Sequence, residues 1–225
     1  MKKSINLAAL VSGGKDSVYA LYKELMSGNK ISYIISVKSQ SPDSYMYHFP
    51  NLDMVNLISQ SIGIPLLTVT TTGEKEKELI PLKNELSRLD IDGVVSGAIA
   101  SSYQKSRIDQ IAKELGIVSR APLWGIDQTK LLDELFENNF DVIIVATAAE
   151  GLGKEYLGMN LADAREDLKK LESKYGINVA GEGGEYETLV LNCPLFKYPI
   201  KILDAEKVWD KVRGFYNIKK ASLKV

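Results

Sequence analysis

The stretch Ile5-Asn6-Leu7-Ala8-Ala9-Leu10-Val11-Ser12-Gly13-Gly14-Lys15-Asp16-Ser17-Val18 decides the architecture. Residues 5–11 are apolar apart from Asn6 and read as a buried strand. Residues 16–26 put Val18, Leu21, Tyr22 and Leu25 on one helical face, and Gly28 ends that helix. The loop between them is therefore a strand-to-helix turn. In open α/β sheets, ligands bind beyond the carboxyl ends of the strands. A helix N-terminus offers unpaired N–H groups and a positive dipole end, which suits phosphate. Gly13 and Gly14 let the backbone approach an anion closely. Lys15 reaches phosphate oxygens, and Ser12 and Ser17 donate hydrogen bonds. Asp16 belongs in an anion site only if a cation bridges it, and Mg²⁺ on phosphates does so. The spacing is not a Walker A loop, because Ala9 stands where the first glycine should be and Asp16 follows the lysine. It is not a dinucleotide fingerprint either; Gly151-x-Gly153 comes close, but Tyr156 takes the place of the third glycine. On spacing alone, a plain tight turn capped by Ser12 stays open.

Outward from that loop, strands and helices alternate. Residues 31–37, 65–70 and 93–96 read as strands; residues 52–62, 74–89 and 103–115 read as helices. Pro81 must kink, split or restart the third helix. Residues 39–50 form a polar loop. This alternation predicts an α/β fold with a doubly wound parallel sheet. After residue 120 the texture changes. Asp127 reads as the N-cap of a helix over 131–136. A strand (141–147), a helix (161–175), a glycine-rich loop (181–184) and short strands at 188–191, 200–203 and 218–225 follow. These predict two domains, 1–120 and 121–225, the second smaller and α+β.

Composition narrows the function classes. The chain has 225 residues, about one and a half domains at ~150 residues each. It carries 28 Lys and Arg against 29 Asp and Glu, so no global basic field draws it to nucleic acid. One cysteine, Cys193, excludes a disulfide scaffold, a zinc ribbon and a paired-thiol redox site. The start, Met1-Lys2-Lys3 and a short apolar run, is too brief for a secretory signal. No apolar run reaches the ~18 residues of a membrane span. The expected compartment is the cytoplasm. Glu182, Glu185 and Glu187 stand within six residues. Such like charges are either solvated or neutralised by a cationic ligand.

The string Ser12-Gly13-Gly14-Lys15-Asp16-Ser17 matches the pyrophosphate loop (PP-loop) of the ATP pyrophosphatase superfamily. Further along, Gly181-Glu182-Gly183-Gly184-Glu185-Tyr186-Glu187-Thr188 and Asn192-Cys193-Pro194-Leu195-Phe196 resemble the signature of diphthine–ammonia ligases. So do Gly97-Ala98-Ile99 with Tyr103-Gln104 and Arg107, Ala121-Pro122-Leu123-Trp124, and Gly151-Leu152 with Leu157-Gly158. The resemblance runs from residue 5 to about 196, in the family order. It implies a Rossmann-like fold of the adenine nucleotide alpha-hydrolase type. It also implies the last step of diphthamide synthesis. A modified histidine on translation elongation factor 2, diphthine, bears a carboxylate and a trimethylammonium group. The family amidates that carboxylate with ammonia, using ATP and releasing AMP and pyrophosphate.

The resemblance implies a site. Lys15 and Asp16 are its catalytic residues, with Asp16 toward Mg²⁺. Ser12, Gly13, Gly14 and Ser17 join them at the phosphates. Ser36, Met46, Gly97 and Ala98 take the adenosine, although packing explains Ser36 and Met46 equally well. Arg107 meets the α-phosphate, unless it is a solvated helical arginine. Glu182, Gly183, Gly184, Glu185 and Glu187 bind the acceptor with Gln104. Tyr103, Trp124 and Tyr186 offer aromatic faces to its quaternary ammonium. His48 and Cys193 are the only residues of their kinds, a poor basis for a glutaminase, so free ammonia is the expected nitrogen source. The expected partner is elongation factor 2 carrying diphthine. No membrane and no stable nucleic acid are expected, and a homodimer stays open. The rival readings are a tRNA-modifying PP-loop enzyme and an ATP- or AMP-binding sensor without turnover.

Overall fold

Buried aliphatic runs and amphipathic helices alternate through the first half of the chain in the computed structural model, which describes residues 4–39, 51, 54–71 and 79–224. The order is β1 (Asn6–Leu10), α1 (Lys15–Met26), β2 (Lys30–Ser39), α2 (Met54–Ile62), β3 (Leu66–Thr71), α3 (Leu79–Leu86), β4 (Gly93–Val95), α4 (Ser102–Leu115) and β5 (Val118–Arg120). These strands pair in parallel in the order β3-β2-β1-β4-β5. The chain steps outward from β1 on one side, then returns to its other side with β4. That reversal is the topological switch point of a doubly wound sheet. Leu82 and Leu86 of α3, with Ile108, Ile111 and Ala112 of α4, pack with Ala8, Ile35, Val69 and Val94 of the sheet. Val18 and Leu21 of α1 and Val55 and Ile58 of α2 are also buried. Ser101 caps α4 by accepting from the Gln104 amide, and Gly116 ends it at φ 69°, a left-handed conformation open to glycine.

Of the alternatives for Pro81, the described residues show a helix start: it falls in the first turn of α3, where a missing N–H is tolerated, and residues 74–78 lie outside the described residues. The strand β5 was not expected, because three residues directly after a helix carry too little pattern.

Beyond Gly125 the chain forms a second unit, and Gly13–Lys15 groups with it. Its elements are α5 (Gln128–Glu137), β6 (Asp141–Thr147), a 3₁₀ turn (Lys154–Tyr156), α6 (Leu161–Tyr175), β7 (Tyr186–Asn192), β8 (Ile200–Trp209) and β9 (Gly214–Leu223). Asp127 caps α5 through the Lys130 amide, as its position predicts. The strands form an antiparallel sheet in the order β7-β6-β9-β8. The two last strands are longer than the sequence suggests. Charged residues such as Lys207 and Lys219 interrupt the apolar alternation of a hairpin with exposed positions.

Candidate functional site

The loop after β1 lies at the switch point of the parallel sheet. Ser12 follows β1, and Asp16 and Ser17 open α1. The Ser12 amide donates to Ser17 Oγ at 3.2 Å, and the two hydroxyls lie 3.2 Å apart. Gly13 takes φ 93°, which a side chain resists. Across the switch point, Gly97 follows β4. A Cβ on Gly97 would lie 2.7 Å from both Asp16 C and Ser17 N. Only glycine lets the two backbones come this close. Ala98 beside it is buried, as is Ser36 on β2, whose partner on β3 is Thr68. Met46 lies outside the described residues.

Tyr103, Gln104 and Arg107 occupy the first turns of α4. The Arg107 guanidinium stacks on the Tyr103 ring, 3.4 Å from its centroid. Trp124 is 41% exposed, and Lys105 Nζ lies 5.5 Å from its ring centroid. Within the second unit, Lys15 is only 3% exposed and its Nζ sits 5.6 Å from the Tyr186 ring centroid. All three aromatic residues expected to face a quaternary ammonium thus already hold a protein cation.

Tyr186 opens β7, and its hydroxyl donates to the Val179 carbonyl at 2.8 Å. Before it, Gly181-Glu182-Gly183-Gly184-Glu185 makes a tight loop. Glu185 Oε1 accepts from the Asn178 amide at 2.8 Å, and Asn178 Oδ1 accepts from the amides of Ala180 and Glu182. Gly183 gives this carboxylate room: a Cβ there would lie 2.7 Å from Glu185 Oε1. Glu185 Oε2 is buried with no hydrogen-bond partner among the described residues. Glu185 lines an open cleft of about 550 Å³ with Asp127 and Glu172. Glu187, two residues beyond the loop, pairs with Ala146 on β6.

Two residues of the site escaped the sequence reading. Thr188 Oγ1 accepts from the Lys15 amide at 3.1 Å, and the Val190 amide donates to the Gly13 carbonyl at 3.0 Å. No local pattern announces a contact across 173 residues.

The residues fit a phosphate chain. A helix N-terminus, a lysine and hydroxyls surround a glycine-built backbone cradle, and Gly97 keeps that cradle clear of a side chain. No group of three or more His, Cys, Asp or Glu comes together as a metal site among the described residues. A divalent cation here would rest on Asp16, phosphate oxygens and water, an arrangement common for Mg²⁺. None of the described helices is long and apolar enough to cross a membrane.

Comparison with known proteins places the chain in a family. Residues 5–119 match the family described as diphthamide synthase N-terminal domain, and residues 127–224 match the diphthamide synthase C-terminal domain. A curated relative from Rattus norvegicus, named diphthine–ammonia ligase, is 35% identical and covers 94% of this chain and 88% of its own. One of the same name from Homo sapiens is 34% identical, with 91% and 85% covered. Another from Schizosaccharomyces pombe is 33% identical over 91% of this chain but only 37% of its own length. A solved chain from Methanocaldococcus jannaschii, described as a "predicted subunit of tRNA methyltransferase", superposes with a TM-score of 0.46 at 15% identity, covering 84% of this chain and 98% of that one. With both domains matched in order and a third of residues shared with relatives of similar length, this chain belongs to the diphthamide synthase family, a family of C–N bond-forming ligases.

Proposed function

We propose that the chain is a cytoplasmic enzyme that amidates the diphthine carboxylate of elongation factor 2 with ammonia, cleaving ATP to AMP and pyrophosphate through an acyl-adenylate. The observation that carries this reading is the loop 12–17 at the switch point of a parallel sheet, with Gly97 packed against its backbone. Residues 1–120 serve ATP and residues 121–225 the acceptor, apart from Gly13–Lys15, which group with the second unit.

A carboxylate does not react with ammonia at neutral pH. Transfer of AMP to it supplies a good leaving group and expels pyrophosphate. Ser12, Gly14, Lys15 and Ser17 hold the phosphates, and Lys15 stabilises charge developing on the leaving pyrophosphate. Loss of one such donor commonly costs ~3 kcal/mol, about 10²-fold in rate. Asp16 would hold Mg²⁺, which would offset the charge of the phosphates, and Arg107 meets the α-phosphate. Ser36, Gly97 and Ala98 are assigned to the adenosine, and so is Met46, which lies outside the described residues. Ammonia then displaces AMP from the acyl carbon, and the amide nitrogen loses a proton to solvent.

The acceptor's trimethylammonium is assigned to Glu185, with Glu182 beside it. The support is the unpartnered Glu185 Oε2 and the cleft shared with Asp127 and Glu172. A cationic group offsets the repulsion among the carboxylates of this loop and cleft. Gly183, Gly184 and Glu187 belong to the same unit as Glu185, and Gln104 and Trp124 of the first unit are assigned to the acceptor as well. Free ammonia is the nitrogen source. Burial pushes the Cys193 thiol up to about 11, against backbone hydrogen bonds that lower it, so it supplies no thiolate near pH 7.

The deciding experiment is a pyrophosphate-release assay with ATP, Mg²⁺ and ammonia, with and without elongation factor 2 bearing diphthine. Release that needs the modified factor, AMP formation, and a one-dalton fall in the factor's mass are expected. Equal release without the factor would overturn the substrate, and tight ATP binding with no release would overturn the chemistry.

A further inference from the structure

The β7 strand lies at one edge of the antiparallel sheet, with β6 on its inner side. An exposed strand edge presents unpaired N–H and C=O groups. Here that edge is used. The Val190 amide donates to the Gly13 carbonyl at 3.0 Å, and Thr188 Oγ1 accepts from the Lys15 amide at 3.1 Å. Loop residues two apart thus meet strand residues two apart, one through the strand backbone and one through a side-chain hydroxyl. Tyr186, two residues before Thr188 and therefore on the same face of β7, carries the Lys15 ammonium over its ring. The ring itself is fixed by its hydroxyl's bond to Val179 O. Thr188 and Lys15 are both buried, so the bond is shielded from water.

Lys15 is the first residue of α1, and the first amides of a helix have no partner within it. Thr188 satisfies one of these amides from outside. We propose that Thr188 is a positioning residue for Lys15: its hydroxyl fixes the Lys15 backbone, and with it the direction in which the ammonium leaves the chain. Val190 and Tyr186 hold the two flanks of the same element. The inference rests on the ATP chemistry assigned to Lys15, but the bond itself is independent of that chemistry. A catalytic group displaced by about 1 Å loses up to ~10²-fold in rate.

The experiment compares Thr188→Val and Thr188→Ser in the whole chain. Valine keeps the shape and removes the acceptor; serine restores the acceptor. Amide exchange at Lys15, read by NMR, is expected to quicken in Thr188→Val and to return toward the original in Thr188→Ser. In the pyrophosphate-release assay, Thr188→Val is expected to lose ten-fold or more in kcat, within the ~10²-fold limit, with a smaller change in KM for ATP. Thr188→Ser is expected to recover most of it, with Thr188→Val melting a few degrees lower and Thr188→Ser close to the original. Unchanged exchange at Lys15 would overturn the positioning role whatever the activity. So would quickened exchange with kcat unchanged, or a loss that serine does not rescue. If the original chain releases no pyrophosphate, the assigned reaction fails, and the exchange experiment still decides whether Thr188 holds the loop.

Discussion

Arg120 Nε lies 3.0 Å from Oε1 of Glu24, a carboxylate only 1% exposed. Glu24 sits on α1 and Arg120 ends β5, so the pair joins the second element of the chain to the end of the parallel sheet. Asn29 Nδ2 adds a bond to Glu24 Oε2 at 2.6 Å. Breaking a buried pair from one side strands the other charge. Arg120→Met is expected to destabilise the first unit by about 2 kcal/mol, below the usual range for buried pairs because the arginine is half-open to water. Urea unfolding measures it. A midpoint within error of the original would show that Asn29 alone satisfies Glu24.

Cys193 gives a pH prediction. Burial raises its thiol from 9.0 to about 11 and the fold leaves it 3% exposed. The folded chain therefore keeps its proton where the unfolded chain has lost it. The associated stability is complete below pH 9 and is lost as pH rises through about 11. At pH 8, iodoacetamide is expected to label Cys193 at least ~100-fold more slowly in the native protein than in urea, since thiolate is the nucleophile. Comparable rates in the two states would contradict both the burial and the raised value.

How far the sequence reaches is visible residue by residue. The parallel sheet was legible because its central strand β1 is almost wholly apolar and the helices α1, α2 and α4 close on Gly28, Gly63 and Gly116. The loop 12–17 was legible because it sits between two strongly patterned elements. The three-residue β5 and the full β8–β9 hairpin were not, since Val118 to Arg120 is too short for a period and the hairpin mixes charges into its alternation. The holds on Lys15 by Thr188 and Tyr186 were invisible for a different reason. They are tertiary contacts, and no local pattern encodes which strand reaches a distant loop. For the same reason the aromatic residues were given to a ligand although Lys15, Arg107 and Lys105 already face them.

Thr147, the last residue of β6, is 1% exposed, and its hydroxyl has no hydrogen-bond partner among the described residues. A buried, unsatisfied hydroxyl costs about 1 kcal/mol or more. Valine matches threonine in shape and carries no such group. Thr147→Val is therefore expected to raise the melting temperature of the ligand-free protein by roughly 2–4 °C. Calorimetry reads it directly, and a lowered transition would mean that the hydroxyl contributes to the fold.

Gly97 provides the sharpest test of the site. A methyl group there meets backbone, not a movable side-chain tip: Asp16 C and Ser17 N at 2.7 Å and Asp16 O at 2.9 Å. Real Cβ atoms do not approach so closely, so either the β4–α4 connection or the start of α1 must shift. Both carry residues assigned to the nucleotide. Overpacking of this kind commonly costs ~1–3 kcal/mol where it is absorbed by the fold. The first amides of α1 move with Asp16 and Ser17, and these are the groups that would meet phosphate. Gly97→Ala is expected to weaken ATP binding by at least ten-fold while the far-ultraviolet circular dichroism stays unchanged, with the loss measured by isothermal titration. Gly116→Ala is the contrasting change: nothing lies within 4 Å of its Cβ, but φ is 69°, so it strains a helix end and spares the site. It is expected to lower stability and leave ATP affinity alone. The opposite pattern, with ATP affinity kept in Gly97→Ala and lost in Gly116→Ala, would remove the nucleotide from the switch point.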